Sequence, residues 1–194
     1  MGNKKKRSYK YLIVVLIGTF FIAALLGSGA ETILRYMPLS LAWILLVFVI
    51  VVGIVFDVLG VAAAAADEAP HNARAAKKIF GARQSVHLIK RADRVSNFAC
   101  DIIGDITGTL SGAIGATIIM SLLSSYPELS KWQILLNVLI LALIASCTVT
   151  GKAWAKTFAI NEANTILDYA GRLVAGFEKV TRLNLTGATK RGGK

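Results

Sequence analysis

The 194 residues hold little of what equips a soluble enzyme. There are two cysteines, Cys100 and Cys147, with no CxxC and no Cys/His spacing, which leaves neither a disulfide framework nor a zinc site; both read as small packing residues. The two histidines, His71 and His87, sit in one basic segment and read as solvated or lipid-facing loop residues. No HExxH and no Ser/His/Asp arrangement is present, and "DIIGDITG" lacks the DG…AR run that accompanies the aspartates of membrane phosphotransferases. An enzyme is therefore not expected.

Charge is missing over four long stretches: Tyr11–Ala30, Tyr36–Phe56, Ile106–Pro127 and Trp132–Gly151. A bilayer core of about 30 Å takes about 20 helical residues at about 1.5 Å each, so each stretch is long enough to span. A soluble helical bundle needs a polar face on each helix, and these runs have none. The expected fold is all-α: a polytopic helical membrane protein with four transmembrane helices and amphipathic juxtamembrane helices on the cytoplasmic side.

Acidic residues are scarce, 11 against 22 basic, for a net charge of +11. Such an excess often marks nucleic-acid binding, but here its distribution follows the spans. Five basic residues precede the first run, seven lie from Arg74 to Arg94, and eight from Lys152 to Lys194, leaving Arg35 and Lys131 for the other two connections. This is the positive-inside pattern. It predicts a multi-pass protein of the inner (plasma) membrane with both termini cytoplasmic, basic segments against anionic lipid, and no nucleic-acid partner.

Along the chain, residues 1–10 form a basic N-terminus and 11–30 the first span. Its start "KKKRSYKYLIVV" and exit "LLGSGAE" suit a signal anchor, and its length favours a retained helix. "GSGAETILRYMPLS" reads as an external turn after a helix over 11–28. A transmembrane domain over 39–182 follows, then a flexible basic tail over 183–194. The tract "VAAAAADE" favours close helix approach, and Pro70 ends it. Ala75, Ile79, Ala82, Val86 and Ile89 recur at helical spacing among basic residues, as an interfacial helix requires. The third span starts near Asp93–Asn97, and the fourth ends near Thr150. Beyond it, Ile166, Ala170, Leu173, Val174, Phe177 and Val180 form one face of a second interfacial helix, opposite Asn164, Asp168, Arg172 and Lys179, with Asn161 as its cap.

"NFACDIIGDITGTLSGAIGAT" places Asn97, Asp101 and Asp105 four residues apart, beside Gly104, Gly108, Gly112 and Ala116. On an α-helix these form an acidic stripe about 10 and 16 Å beyond Arg94, next to a stripe with almost no side chain. An unpaired Asp at mid-membrane costs about 2.5–3.5 kcal/mol, so the carboxylates are expected to face protein or water. Asp57 reaches a similar depth from the second span. With Thr107 and Ser111, the four candidates Asp105, Asp101, Asn97 and Asp57 offer the oxygen donors that suit Mg²⁺, or alternatively Na⁺. The competing expectation is an internal ion pair with Lys152 or Lys156. The glycine ladder reads first as a helix-packing surface.

The order of elements, with "KRADRV…IIGD" between basic segment and third span and "TGKAWAKTFAIN" at the exit, resembles the transmembrane domain of the CNNM/CorC magnesium-transporter family over about residues 40–180. The resemblance implies that Gly104-Asp105 stands at the family's Gly-Asn ion site, Asp67-Glu68 near its acidic position, Gly151-Lys152 at its Gly-Glu and Lys156 at its exit lysine. Lysine replaces glutamate at 152, alanine stands where serine is expected, and the cytoplasmic CBS domains are lacking. The expectation is a homodimer that binds and transports a divalent cation, Mg²⁺ first. The alternative is a non-transporting interaction or regulatory subunit that pairs with a partner protein through the glycine ladder and the basic helices.

Overall fold

The computed structural model describes residues 2–181, and among these every regular element is helical. Helix α1 spans Gly2–Tyr36, α2 Leu39–Ala65, α3 Glu68–Ala76, α4 Ala82–Lys90 and α5 Ala92–Ser96. A π-helical turn, Asn97–Ile103, leads into α6, Gly104–Ser125; a 3₁₀ segment, Pro127–Trp132, leads into α7, Gln133–Asn161, and α8 covers Ala163–Thr181. Four segments are long and apolar enough to cross a membrane: Ile13–Leu34, Leu39–Ala65, Ala92–Ser125 and Pro127–Asn161. The basic tail expected over 183–194 lies outside the described residues.

Three boundaries differ from the sequence expectation. Helix α1 begins at Gly2 and continues through the expected turn to Tyr36. Within that stretch Ser28 Oγ donates to the Leu25 carbonyl at 3.1 Å and Thr32 Oγ1 to the Ser28 carbonyl at 2.7 Å, so the hydroxyls are satisfied inside the helix. The break falls where Pro38 disfavours helix for the residue before it. Pro70 sits in the first turn of α3, where its missing N–H is not needed. Helix α7 runs eleven residues past Thr150 to Asn161, which carries Lys152 and Lys156 on the helix itself, one turn apart.

The chain divides into two compact units. One takes the described residues up to Ile50 with Ile106–Ser146. Its core joins Leu34, Ala42, Leu46, Val49, Ile114, Ile118 and Ile144. Gly115 brings α6 onto α7, since a Cβ there would overlap Ile144 Cδ1. The other unit takes Val51–Asp105 with the described residues from Cys147. The alanine tract contributes Ala62 and Ala63 to a core with Ile89, Ala159, Ala163 and Leu167, so it does serve close approach, with alanine on both sides.

Of the two amphipathic segments, the first orients differently from expectation. Ala82 and Ile89 of α4 are buried in this unit, with α4 packed on α8, rather than turned outward as an interfacial stripe. The stripe is also cut by the turn at Lys77–Gly81, where Lys78 (φ 55°) and Gly81 (φ 82°) take left-handed backbone. On α8 the apolar face is the outer one: Leu173, Phe177 and Val180 are exposed while Leu167, Gly171, Ala175 and Glu178 are buried.

Candidate functional site

The most unusual polar group in the second unit is the carboxylate of Asp57, which is only 2% exposed. Gly60, one turn on, lets α2 lie against the π-helical turn: a Cβ there would fall 3.2 Å from Ala99 Cβ and 3.3 Å from Ser96 Cα. Cys100 Sγ reaches the Asp57 backbone carbonyl at 3.6 Å. Where the turn closes, Gly104 again supplies space. A Cβ on it would stand 3.2 Å from Lys152 Nζ and 3.9 Å from Asp57 Oδ1, so the ammonium and the carboxylate border the same point. Lys152 Nζ donates to the Gly104 carbonyl at 3.1 Å, and Lys156 Nζ lies 3.9 Å from Asp57 Oδ2. Lys156 thus pairs with the buried carboxylate, and Lys152, one turn earlier on α7, lies close by on the Gly104 carbonyl. Charge compensation of this kind is what makes a buried carboxylate tolerable.

The four sequence-derived ligands do not share one environment. Asp57 is buried beside the lysines; Asp101 and Asp105 are exposed. Asn97 Nδ2 donates to Asp101 Oδ2 at 2.6 Å, joining those two. Residues 97–103 are π-helical, and i→i+5 bonding gives each turn more than 3.6 residues, so a spacing of four no longer draws the straight stripe expected on an α-helix. Thr107 and Ser111 are buried, and Ser111 Oγ donates to the Thr107 carbonyl at 2.8 Å along its own helix. Among the described residues, no group of three or more His, Cys, Asp or Glu side chains is placed to hold a metal ion.

At about 1.5 Å per residue, Asp57 is about 27 Å from the start of α2, Lys152 about 28 Å from the start of α7, and Asp105 about 30 Å from the end of α6. Each distance is close to one bilayer core. Within the candidate spans, Asp57 lies eight residues before the end of Leu39–Ala65, Asp105 thirteen residues into Ala92–Ser125, and Lys152 nine residues before the end of Pro127–Asn161.

A second polar cluster lies along α8 and was not foreseen. Asn164 Oδ1 accepts from the Asp67 backbone N–H at 3.0 Å. Asp168 pairs with Arg74, and His71 Nδ1 is 3.3 Å from its other oxygen. Ser85 Oγ, fully buried, donates to the Leu167 carbonyl at 2.8 Å, and Gln84 Nε2 donates to buried Glu178 at 2.8 Å. His71 is thus an interior residue, 1% exposed, where the sequence suggested a solvated or lipid-facing loop residue. His87, half-buried, is held below its ordinary pKa by desolvation and by the neighbouring Arg91, with Glu178 opposing. The signal for this brace is the 4-3-4-3 spacing of Asn164, Asp168, Gly171, Ala175 and Glu178, a seam of small and polar residues masked by the more conspicuous apolar face. Comparison with models of known protein families, with curated proteins and with solved structures finds no match.

Proposed function

We propose that this chain is a multi-pass membrane protein acting as a non-transporting interaction subunit, with both termini cytoplasmic, and that it engages a partner span through the open face of α6. The carrying observation is the contrast among the glycines of that helix. Gly115 is used inside the chain against Ile144, whereas a Cβ at Gly108 or Gly112 would have no heavy atom within 4 Å. Small residues let membrane helices approach closely, and lipid gains nothing from them. The pairing of Asp57 with Lys156, with Lys152 held nearby on the Gly104 carbonyl, supports a fixed structural pair over an ion-carrying site.

The test is disulfide trapping in native membranes with Gly112→Cys in a Cys100→Ala, Cys147→Ala background. The expected result is a linked species of higher mass that Gly108→Leu removes. A chain that stays monomeric in both variants removes the partner assignment.

One observation favours a second reading, cation binding and transport with Mg²⁺ as first choice, in line with the CNNM/CorC resemblance. Asp57 Oδ2 accepts no hydrogen bond although it is buried, which leaves a lone pair for a cation that displaces a lysine. This reading expects Mg²⁺ flux into proteoliposomes that Asp57→Asn abolishes; equal flux with and without the protein overturns it.

A further inference from the structure

An open apolar groove of about 710 Å³ runs between the inner part of α2, the end of α7 and the outer face of α8. Val55, Val58, Phe158, Ile166, Tyr169 and Leu173 line it. Its size is that of small-molecule sites, about 300–1,000 Å³. The α2 and α7 walls belong to segments long and apolar enough to cross a membrane, and they lie near the inner ends of those segments.

The rim of the groove is charged, and unevenly so. The Arg172 guanidinium carbon lies 5.8 Å from the centroid of the Tyr169 ring, so a positive charge stands over a ring that forms part of the wall. Arg172 is exposed, and Lys179 follows two turns later on the same helix. At the other end the lining includes Glu162, about 15 Å away along α8 at the helical rise. An occupant with an apolar body and an anionic head fits only one way round, with its charge at Arg172.

We infer that this groove binds an anionic phospholipid of the inner leaflet, its acyl chain along Val55, Val58 and Ile166 and its phosphate on Arg172. The inference rests on the membrane insertion proposed above and is independent of the α6 partner. Matching charge at the rim selects the head, and the apolar wall, continuous with the spans, selects the chain. A partner helix laid in the groove would need no such polarity.

The experiment is native mass spectrometry of the full chain, purified in mild detergent and exposed to phosphatidylglycerol and phosphatidylcholine of identical acyl chains. Wild type is expected to retain phosphatidylglycerol about five-fold more than phosphatidylcholine, the factor for one basic residue near a membrane surface. Arg172→Gln should equalise the two. Ala170→Trp, which fills the groove, should lower retention of both, while Lys131→Gln should match wild type. Arg172→Gln alters an exposed side chain and carries the test if the tryptophan variant does not fold. Equal retention of both lipids by wild type overturns the inference. So does unchanged selectivity in Arg172→Gln, or a disulfide-linked dimer through Leu173→Cys that forms whatever the lipid. Loss of insertion is distinguished by carbonate extraction of the protein from membranes, which leaves an inserted chain in place.

Discussion

Replacing Lys152 and Lys156 together with methionine is expected to cost about 3 kcal/mol of stability, read as a fall in thermal unfolding temperature at fixed detergent and protein concentration. Methionine keeps most of the apolar stem and deletes the charge. What remains is Asp57, 2% exposed, with neither ammonium beside it. Breaking a buried pair by removing one sign costs about 3–5 kcal/mol; the lower end applies here because Lys156 is half-exposed and partly screened by solvent. Adding Asp57→Asn to the lysine-less chain removes the stranded charge and is expected to restore most of the loss. If the asparagine change instead destabilises that chain as much as it does wild type, the lysines do not compensate Asp57, and the internal-pair account fails.

The second large effect concerns two glycines on one helix. Gly171→Ala is expected to destabilise by about 2–3 kcal/mol, within the range for overpacking. The new methyl group would stand 2.6 Å from the Gly81 carbonyl oxygen and 2.8 Å from the Ser85 nitrogen. Those are backbone atoms at the start of α4, in a turn already committed to positive φ at Gly81. Relief requires moving α4 away from α8, which loosens the Ser85–Leu167 hydrogen bond and the burial of Ile89. Gly176→Ala, five residues on, meets nothing within 4 Å and is expected to stabilise by about 0.5–1 kcal/mol through the lower backbone entropy of alanine. Opposite signs for the same substitution test the α4–α8 contact in a way that helix propensity cannot imitate. Equal effects at both positions would contradict it.

The neighbourhood of Asp57 shows how far local pattern reaches. The sequence offered Lys152 and Lys156 as possible partners, yet it ended the fourth span at Thr150, since charged residues usually mark the end of an apolar run. In the fold α7 continues to Asn161, so both lysines lie on the helix, and Lys156 stands beside a carboxylate that is distant in sequence. The Asn97–Asp101–Asp105 stripe went the other way. Its regularity depended on 3.6 residues per turn, and the π-helical turn over 97–103 removes that premise without any proline or glycine within it to announce the change.

The amino-acid sequence alone determined the helical class and the four long apolar helices, because a run of about twenty uncharged residues has few other ways to satisfy its backbone away from water. It also determined where basic residues cluster, which is a matter of counting. Only the tertiary structure decided which polar side chains meet: Asp57 with Lys156, His71 and Arg74 with Asp168, Gln84 with Glu178. The physical reason is that such pairings depend on how closely two helices approach. That spacing is set by residues such as Gly60, Gly104 and Gly171, and their position in the sequence does not say which neighbouring helix each one meets.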